Sequence, residues 1–544
     1  MNIYAANRWN HYLRCVSFNG RDERSLLSAV FRGFKYFIVI NPDIDVYETG
    51  IKGGNLKVLF IYFNKEFRPR IPYSLSLLET IVRNEGHKTE VFDTSFYLDF
   101  IDPWEFNHLK AGIWKVVDNL SIEPKTSNPY EDLKDRVNKF KPDLLAFSFY
   151  ATNVEIQRKL LVPFKKDFPE IKILAGGVQV CLNPEESIKE PYIDMICYGE
   201  GEEFIKELCS RMERGESIES IKGLWLKKGN EIIRNGITDK ADINKLPTLN
   251  LDSYDPIQIH GLYEGRAYRM GHVETTRGCP YNCSYCGSGT LRTAYKDAGD
   301  NGYIRHKDPE KLVQGCKELK EKYKLEMFYF QDGTFTAKPL KLFEELAPLY
   351  REKVGLPFIA LVRPETITKR VAELLGIMGC AHVSIGVESG VQSYREEVLN
   401  RRMSNQKIIE ATRFLRENNI HVSAYNMIGL PGMDRKHVFE TIKLNKEAKP
   451  NSSIVSIFIP FPDNELTKTL IQKGLIKTTE IKSHLGTTPN IEIKEMKEQE
   501  IIGLFNTFNL YVQLPTFLYP LIRLLEKQNT LSNFARKTVY KFVR

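Results

Sequence analysis

Three cysteines lie close together in one short stretch of the 544-residue chain: Cys279, Cys283 and Cys286 are separated by three and then two residues. Thiolate is the preferred ligand of iron–sulfur clusters, and a compact loop can direct three thiolates at one small cube of iron and sulfur. A 4Fe–4S cube has four irons, so three cysteines leave one iron open to another ligand. A structural zinc site is the alternative, but it needs a fourth ligand nearby, and His272 and His306 lie at no familiar zinc spacing.

Two long stretches of strand–helix alternation are predicted to position these residues. The first, from residue 56 to about 215, predicts a doubly wound parallel sheet, whose ligands bind at the carboxyl ends of the strands. The second runs to about residue 470 and contains six strand–helix units, with the cysteines directly after its first strand. The predicted strands are 57–62, 86–93, 144–149, 171–175, 195–197, 272–276, 327–331, 358–361, 383–387, 421–427 and 454–459. The clearest helices are 72–83, 130–140, 153–167, 202–214, 309–323, 340–353, 369–378 and 405–418.

The composition of the chain is ordinary for a globular protein, with 42% hydrophobic and 27% charged residues and a mean hydropathy of −0.33. The other six of the nine cysteines are scattered, which is not typical of a disulfide framework. No apolar run is long enough to cross a bilayer or to form a signal-peptide core, so a cytoplasmic location is expected. The net charge of +8 is modest and no dense basic stripe is present, so nucleic acid is not an expected partner.

The cysteine stretch resembles the signature loop of the radical S-adenosylmethionine (SAM) superfamily, CxxxCxxC with an aromatic residue, here Tyr285, before the last cysteine. The resemblance implies that Cys279, Cys283 and Cys286 hold a 4Fe–4S cluster whose open iron binds SAM. It also implies that electron transfer from the cluster cleaves SAM to a 5′-deoxyadenosyl radical, and that Tyr285 lies near the adenine. Six strand–helix units match the partial (β/α)6 barrel of this family.

Later strand ends resemble the SAM-binding segments of the same family. Asp332 follows the second strand, where the family receives the SAM amino group, although a turn or helix-capping role is the alternative. Glu388 lies in a stretch close to the family's Gly-x-Glu-Ser-Gly pattern and is expected to contact the ribose hydroxyls. Arg401 or its neighbour Arg402 is expected near the SAM carboxylate, and Gly429 is expected to let the backbone approach the adenine.

Three loops in the first stretch resemble those of the cobalamin-binding domain of cobalamin-dependent radical SAM enzymes, over roughly residues 56–215. They imply a cobalamin site that includes Ser148, Gly176, Gly177 and Glu200. The chain lacks the Asp-x-His-x-x-Gly pattern that replaces the lower axial base in other cobalamin domains, and His87 is expected at the surface. A sheet that has kept the fold and lost cobalamin is therefore the alternative.

The expected fold class is α/β, with five segments. An unassigned N-terminal extension without clear periodicity is followed by a Rossmann-like cobalamin-binding domain, a linker with a hairpin around Gly229, a partial TIM-type (β/α)6 radical SAM barrel and a helical C-terminal region. Two interpretations of the aromatic C-terminal region stay open: a helical cap over the barrel mouth, or an interfacial helix that contacts a membrane near a lipid-like substrate. The five segments are residues 1–55, 56–215, 216–265, 266–470 and 471–544.

The resemblance implies a cobalamin-dependent radical SAM enzyme, and first of all a C-methyltransferase that acts on an unactivated carbon of a small-molecule or lipid-like substrate. One SAM would be cleaved to a radical that abstracts a substrate hydrogen, and a second SAM would supply the methyl group through cobalamin. An external electron donor such as flavodoxin or ferredoxin is expected. No catalytic side chain is assigned, because the cofactors carry the chemistry.

Several other functions remain as alternatives to methyl transfer. The cobalamin-binding enzyme could instead catalyse cyclisation, ring contraction or oxidation. A methylthiotransferase would carry a second trio of cysteines, and Cys181, Cys197 and Cys209 are too dispersed to form one. A regulator that senses SAM or cobalamin would need an output module, and no DNA-reading motif is visible.

Overall fold

The computed structural model describes residues 55–101, 120–461, 464–476 and 488–542. The described residues divide into two compact units, one up to Arg269 and the other from Met270 onwards, and the division falls within the strand Arg266–Val273. The predicted extension, apart from its last residue, lies outside the described residues, and so do residues 480–487 of the polar part of the tail. No helix among the described residues combines the length and the apolar composition needed to cross a membrane.

The first unit is built on a seven-stranded sheet with helices between its parallel strands. Its strands are Lys57–Tyr62 (β1), Lys88–Asp93 (β2), Leu144–Ser148 (β3), Lys172–Gly176 (β4), Met195–Cys197 (β5), Leu224–Lys228 (β6) and Glu231–Arg234 (β7). Its helices are Tyr73–Asn84 (α1), Pro129–Phe140 (α2), Val154–Asp167 (α3), Val178–Leu182 (α4), Pro184–Lys189 (α5) and Glu202–Arg214 (α6). Each strand predicted from the sequence in this part of the chain is confirmed, with ends shifted by a residue or two.

The order of this sheet is β2-β1-β3-β4-β5-β6-β7, and the first five strands are parallel. The chain turns from one side of β1 to the other, so a crevice opens at the carboxyl ends of β1 and β3, where doubly wound sheets bind their ligands. Strand β1 is buried on both faces, as a sheet covered by two helical layers requires. The predicted hairpin around Gly229 is confirmed, and it adds β6 and β7 to the sheet as antiparallel strands.

His87 is buried, so its expected position at the surface is wrong. Helix α1 ends in a Schellman motif: the N–H of Gly86 donates to the Arg83 carbonyl and the N–H of His87 donates to the Val82 carbonyl. Gly86 has a φ of +91°, which this motif requires. The motif folds the residue after the glycine back onto its own helix, and this places the imidazole inside the unit.

The second unit is built on six parallel strands, each followed by a helix. The strands from the unit boundary onwards are His260–Tyr263 (β8), Arg266–Val273 (β9), Thr276–Arg277 (β10), Arg305–His306 (β11), Met327–Phe330 (β12), Phe358–Val362 (β13), Cys380–Glu388 (β14), His421–Ile428 (β15) and Ser452–Ile457 (β16). The helices are Ser288–Asp297 (α7), Pro309–Tyr323 (α8), Leu340–Lys353 (α9), Lys369–Met378 (α10), Gln392–Glu397 (α11), Asn405–Glu417 (α12), Arg435–Ala448 (α13), Glu465–Gln472 (α14), Glu498–Gln513 (α15), Tyr519–Leu524 (α16) and Thr530–Phe542 (α17).

The parallel strands follow the order β16-β15-β14-β13-β12-β9, which is the curled sheet of a partial (β/α)6 barrel. Each of the six strands predicted here is confirmed, although β9 begins and ends earlier than expected. Strand β8 is absent from the predictions because the short run His-Gly-Leu-Tyr has no clear alternation. It pairs with the first half of β9 as an antiparallel hairpin.

The C-terminal helices pack against the β16 edge of this sheet. Helix α15 buries Ile501, Leu504 and Phe508 in one apolar cluster with Ile457 of β16 and Ile442 of α13. Burying such side chains contributes roughly 1.5–3 kcal/mol each. A further contact holds the next segment, since Arg435 forms ion pairs with Glu526 at 2.6 Å and with Glu500 at 3.2 Å. The tail is thus helical, as expected.

Candidate active site

The cysteine loop leaves the sheet at the carboxyl end of β9, and Asp332 holds its first residues. The Asp332 side chain is almost completely buried at the end of β12. Its Oδ1 accepts hydrogen bonds from the backbone N–H groups of Thr275 at 2.6 Å and Thr276 at 3.0 Å. Its Oδ2 accepts from the Thr275 hydroxyl and from the Lys338 ammonium, the latter at 2.9 Å. Both oxygens therefore anchor the start of the loop, and the contact of Asp332 with SAM stays a prediction.

Lys338 is the buried cation of this anchor. Its ammonium also donates to the Phe335 carbonyl at 2.5 Å and lies 4.1 Å from the centre of the Phe335 ring. Burial lowers the pKa of Lys338 from its ordinary value of 10.5, although the Asp332 carboxylate opposes that change. Desolvation consumes much of the attraction within such a pair, so the pair fixes geometry more than it adds stability.

A cation lies directly against the middle cysteine. Arg363, at the end of β13, donates from Nη1 to the Cys283 sulfur at 2.9 Å. Its guanidinium carbon lies 3.7 Å from the centre of the Tyr281 ring, and its other side forms an ion pair with Glu365. This contact places a positive charge beside one of the three predicted cluster ligands.

The other two cysteines have hydroxyl neighbours within the same loop region. The Cys279 sulfur lies 3.8 Å from Thr334 Oγ1, and the Cys286 sulfur lies 3.5 Å from Ser288 Oγ. Within the described residues, no three His, Cys, Asp or Glu side chains gather as the ligands of one metal ion would. Thiolate is the ligand that iron–sulfur clusters prefer, and in a cube each of the three would bind a different iron, so the chemistry of this donor set fits a cube.

Main-chain contacts hold the loop to later parts of the same unit. The N–H of Ser284 donates to the Leu399 carbonyl at 3.1 Å, and its hydroxyl donates to the Val398 carbonyl at 2.6 Å. The Ser284 carbonyl in turn accepts from the N–H of Leu466 at 2.8 Å. The Asn464 amide donates to the Tyr285 carbonyl at 3.2 Å. These bonds fix the segment between the second and third cysteines.

Tyr285, Glu388 and Arg401 form one polar group, in which Glu388 and Arg401 are buried and Tyr285 is half-buried, so three of the residues predicted to bind SAM are in contact. The Tyr285 hydroxyl donates to Glu388 Oε1 at 3.0 Å. Arg401 Nη1 donates to the Tyr285 oxygen at 2.9 Å and lies 3.4 Å from Glu388 Oε1. Its Nη2 donates to the Gly386 carbonyl at 2.7 Å. Arg401 is thus the arginine in this group, and its place near the SAM carboxylate stays a prediction.

Burial changes the pKa values of the ionisable side chains in this group. Burial raises the pKa of Glu388 above its ordinary value, and the charge of Arg401 and the hydrogen bond from Tyr285 limit the rise. Burial also raises the pKa of Tyr285, so its hydroxyl remains protonated. Glu388 has a φ of +64°, an uncommon conformation for a residue with a side chain and one that is found most often at functional sites.

Arg401 has a spare donor in this polar group. Its Nε has no acceptor among the residues that the structure describes, although the atom is completely buried. A buried donor without a partner is unfavourable by about 1–3 kcal/mol, more for a charged group, so the position favours an anionic ligand. The carboxylate of SAM matches that requirement, and the residues present therefore fit SAM.

Gly429 follows β15 and has a φ of +71°. A Cβ at this position would lie 3.1 Å from Ile457 Cγ2 and 3.4 Å from Ile501 Cγ2. Glycine here thus allows both the turn and the close packing of α15. The approach of its backbone to adenine stays a prediction.

The predicted cobalamin residues surround the carboxyl ends of β3 and β4 in the first unit. Ser148 ends β3, and its completely buried hydroxyl finds no hydrogen-bond partner anywhere in the described ranges. Gly177 follows β4 with a φ of +91°, and a Cβ there would overlap with the Ser148 hydroxyl and lie 3.3 Å from the Phe149 nitrogen. A buried hydroxyl without a partner, beside a glycine that leaves no room for a side chain, can accept a polar group of a bound ligand, so these residues fit cobalamin.

Two other predicted cobalamin residues have structural contacts. A Cβ on Gly176 would lie 3.8 Å from the Cβ of Cys197, which is ordinary contact between neighbouring strands. The Glu200 carboxylate accepts a hydrogen bond from the backbone N–H of Ala241 at 2.9 Å. Their roles toward cobalamin stay predictions.

Two family models match the chain: the Radical SAM superfamily matches residues 273–444 and the B12 binding domain matches residues 107–209. The first match contains the cysteine loop and the polar group of Tyr285, Glu388 and Arg401. The second contains Ser148 and Gly177. The chain belongs to the cobalamin-dependent radical SAM enzymes. A 4Fe–4S cluster, SAM and cobalamin are accordingly the cofactors of this radical SAM enzyme.

Curated relatives of this enzyme cover most of its length at low identity. An uncharacterized methyltransferase of Pyrococcus horikoshii is 25% identical over 392 residues, which is 72% of this chain and 82% of the relative. The anaerobic magnesium-protoporphyrin IX monomethyl ester cyclase of Rubrivivax gelatinosus is 23% identical over 78% of this chain and 75% of its own length. The hopanoid C-3 methylase of Methylococcus capsulatus is 26% identical over 62% of each chain.

Two solved structures share the fold of this enzyme. The radical SAM methyltransferase TsrM from Kitasatospora setae, with cobalamin and a [4Fe–4S] cluster bound, superposes with a TM-score of 0.57 at 16% identity and covers 77% of this chain and 75% of its own. The cobalamin-dependent SAM radical enzyme OxsB superposes with a TM-score of 0.60 at 14% identity, over 90% of this chain and 71% of its own. At these identities the likeness concerns the fold.

Several residues of the site are absent from the sequence-based predictions. Thr275 and Thr276 lie directly before the cysteine motif, and Lys338 lies six residues after Asp332. Their only signal is position, because a threonine or lysine beside a motif is common in any chain. Asn464 is farther still from the motif in sequence, and only the fold brings it to the Tyr285 carbonyl.

Replacing Asp332 with Asn should destabilise the second unit, because the substitution leaves the Lys338 ammonium buried without its counter-charge. We expect a loss of about 3–5 kcal/mol, seen as a lower apparent melting temperature. In the double variant Asp332→Asn, Lys338→Met the charge is also removed, and most of the loss should be recovered. If Asp332 acts only as an anchor, the double variant loaded with its cluster should still bind SAM. A stable double variant that has lost SAM binding would instead support direct contact.

Replacing Gly177 with Ala should release cobalamin, because the added methyl group displaces the Ser148 hydroxyl. The matched control is Gly86→Ala, which has the same φ of +91° and no atom within 4 Å of the Cβ position. Both substitutions introduce backbone strain of about 1–2 kcal/mol. Only Gly177→Ala should also lower the cobalt content of the purified protein, by about tenfold for a loss of about 1.4 kcal/mol in binding. Equal cobalt content in the two variants would contradict the assignment.

Proposed function

We propose that this enzyme is a C-methyltransferase that transfers a methyl group from SAM to an unactivated carbon of a small-molecule substrate. The observation that carries the proposal is that one chain combines the cysteine loop and the polar group of Tyr285, Glu388 and Arg401 with the unpartnered Ser148 hydroxyl beside Gly177 in a cobalamin domain. Relatives named as methyltransferases over most of both chains support it. When bound, the cluster and SAM supply radical chemistry, and cobalamin carries the methyl group.

The residues of the chain bind the cofactors, orient them and exclude water from them. Cys279, Cys283 and Cys286 hold the cluster, and the Arg363 guanidinium fixes the middle cysteine through a hydrogen bond to its sulfur. Arg401 would offer its spare Nε donor to the SAM carboxylate, and Glu388 would accept hydrogen bonds from the ribose hydroxyls. Because Glu388 and Arg401 are buried, water competes less for these hydrogen bonds.

The functional division of the chain follows the same proposal. We assign cobalamin binding to residues 56–215, a linker with a hairpin to 216–265, the radical SAM barrel to 266–470 and a helical cap to 471–544. An external reductant such as flavodoxin or ferredoxin supplies electrons, and the substrate is a small molecule or a lipid-like compound. An oxygen-sensitive cluster needs a reducing compartment, so we also propose the cytoplasm as its location.

A cyclase is the second candidate, because relatives named as anaerobic magnesium-protoporphyrin IX monomethyl ester cyclases match the chain at 23–25% identity. The two reactions differ in their demand for SAM. A methyltransferase converts SAM into both S-adenosylhomocysteine and 5′-deoxyadenosine, whereas a cyclase that transfers no methyl group forms only the second product.

The test is an anaerobic incubation of the holoenzyme with SAM, a reductant and a small-molecule extract of cells. We expect both S-adenosylhomocysteine and 5′-deoxyadenosine to form, and label from SAM to appear in a new carbon–methyl bond. Cys283→Ala should abolish 5′-deoxyadenosine formation because the cluster loses a ligand. The control Cys380→Ala changes a buried cysteine outside the loop and should retain it. Formation of 5′-deoxyadenosine without S-adenosylhomocysteine would contradict methyl transfer and favour the cyclase.

A further inference from the structure

The end of the chain exposes apolar side chains to an extent found nowhere else in the described residues. We call the following set the C-terminal apolar surface: Phe517 (76% exposed), Leu521 (60%), Leu524 (57%), Leu531 (78%) and Phe534 (70%). The other exposed large hydrophobic side chains among the described residues are at most 46% exposed. All five lie within one short segment, and isolated exposed leucines would not cluster in this way.

The spacing of these residues places them on the outer faces of two short helical segments. Phe517, Leu521 and Leu524 are four and then three residues apart, which is one face of a helix. The opposite face is buried through Ile522. Leu531 and Phe534 follow at the same period on α17, whose Ser532 is buried. Each segment thus has buried residues on one side and exposed apolar residues on another.

Hydrogen bonds tie the two helical segments together. The Ser532 hydroxyl donates to the Leu524 carbonyl at 3.2 Å. Arg536 donates from Nη1 to the Lys527 carbonyl at 3.0 Å and to the Leu525 carbonyl. Because α17 is fastened to the end of α16 in this way, the exposed residues of the two segments are held at fixed positions relative to one another.

The charged residues in this part of the sequence are almost all basic. Residues 514–544 contain six basic residues and one acidic residue, Glu526. The Glu526 carboxylate is already used, since it accepts two hydrogen bonds from Arg435 at 2.6 and 2.9 Å and one from the Tyr511 hydroxyl at 2.5 Å. Arg523 and Lys527 are exposed beside the apolar residues. The surface therefore matches a partner that is apolar inside and negatively charged outside.

We propose that the C-terminal apolar surface docks on an anionic phospholipid bilayer, with its apolar side chains among the acyl chains and Arg523 and Lys527 at the phosphate groups. An interfacial segment buries its apolar face at the boundary between headgroups and acyl chains and gains attraction from anionic lipids. A second copy of this chain fits less well, because it would bring two basic surfaces together. The proposal does not depend on the methyl transfer proposed above.

The test is flotation of the purified full-length protein with vesicles of phosphatidylcholine alone and of phosphatidylcholine mixed with phosphatidylglycerol. We expect binding to the mixed vesicles, weak binding to the neutral ones, and loss of binding at high salt, since salt screens the attraction. Light scattering on the free protein monitors self-association. Absence of binding to the mixed vesicles, or equal binding to both kinds, would overturn the proposal.

Apolar variants show which surface is responsible. The triple substitution Phe517→Ser, Leu531→Ser, Phe534→Ser should reduce partitioning onto the mixed vesicles by more than tenfold, since each side chain contributes at least about tenfold when buried. The control Leu340→Ser, Ile377→Ser removes apolar side chains that are about 45% exposed on other helices. It should leave partitioning unchanged. Equal effects of the two sets would overturn the proposal.

Charge variants test the electrostatic part. Arg523→Glu, Lys527→Glu should weaken binding to the mixed vesicles by at least about fivefold for each basic residue lost. Lys353→Glu, Lys369→Glu changes the net charge equally at exposed positions on other helices and should have little effect. All these positions are at the surface, so unchanged melting temperatures confirm that the variants are folded. A dimer that the apolar variants dissociate, without vesicle binding, would overturn the proposal in favour of self-association.

Discussion

The buried carboxylate of Asp332 is the interaction on which the rest of the barrel site depends. It joins the carboxyl ends of β9 and β12 by accepting the N–H groups of Thr275 and Thr276, and Lys338 balances its charge. The cysteine loop begins immediately after those two threonines. A loop rich in glycine, proline and asparagine has little regular structure of its own, so its direction is set by the point at which it leaves the sheet. The pair fixes that point, and the attachment of Ser284 to the Leu399 carbonyl fixes the other side of the loop.

The site contains two arginines, one at the cysteine loop and one at the polar group of Tyr285 and Glu388. Arg363 lies against the middle cysteine and donates a hydrogen bond to its sulfur. Arg401 lies against Tyr285 and Glu388 and keeps a buried Nε donor free among the described residues. We propose that the first cation positions a cluster ligand and that the second binds a small anionic ligand. Glu388 joins the second group with a positive φ, an uncommon conformation for a residue with a side chain.

Sequence alone predicted much of this architecture, and the failures have physical reasons. The apolar runs of parallel strands are long and regular, so β1 and β14 were placed correctly, and the cysteines stood out by their spacing and by their resemblance to a family loop. His87 was misplaced because a Schellman motif depends on backbone geometry, which turns a polar residue back onto its helix. The contacts of Asp332 with Thr275 and Thr276 were missed because those two threonines lie more than fifty residues away in sequence. Short contacts made by ordinary residues such as Lys338 leave no pattern to detect.

We propose that one chain holds two cofactor sites, a cluster on the cysteine loop and cobalamin beside Ser148 and Gly177. The iron and cobalt content of the enzyme and of two variants, purified without oxygen from cells supplied with cobalamin, tests this directly. We expect about four irons and about one cobalt per chain. Cys283→Ala should lose iron and keep cobalt, and Gly177→Ala should do the reverse. Iron without cobalt in the unaltered enzyme, or joint loss of both metals in either variant, would contradict the claim.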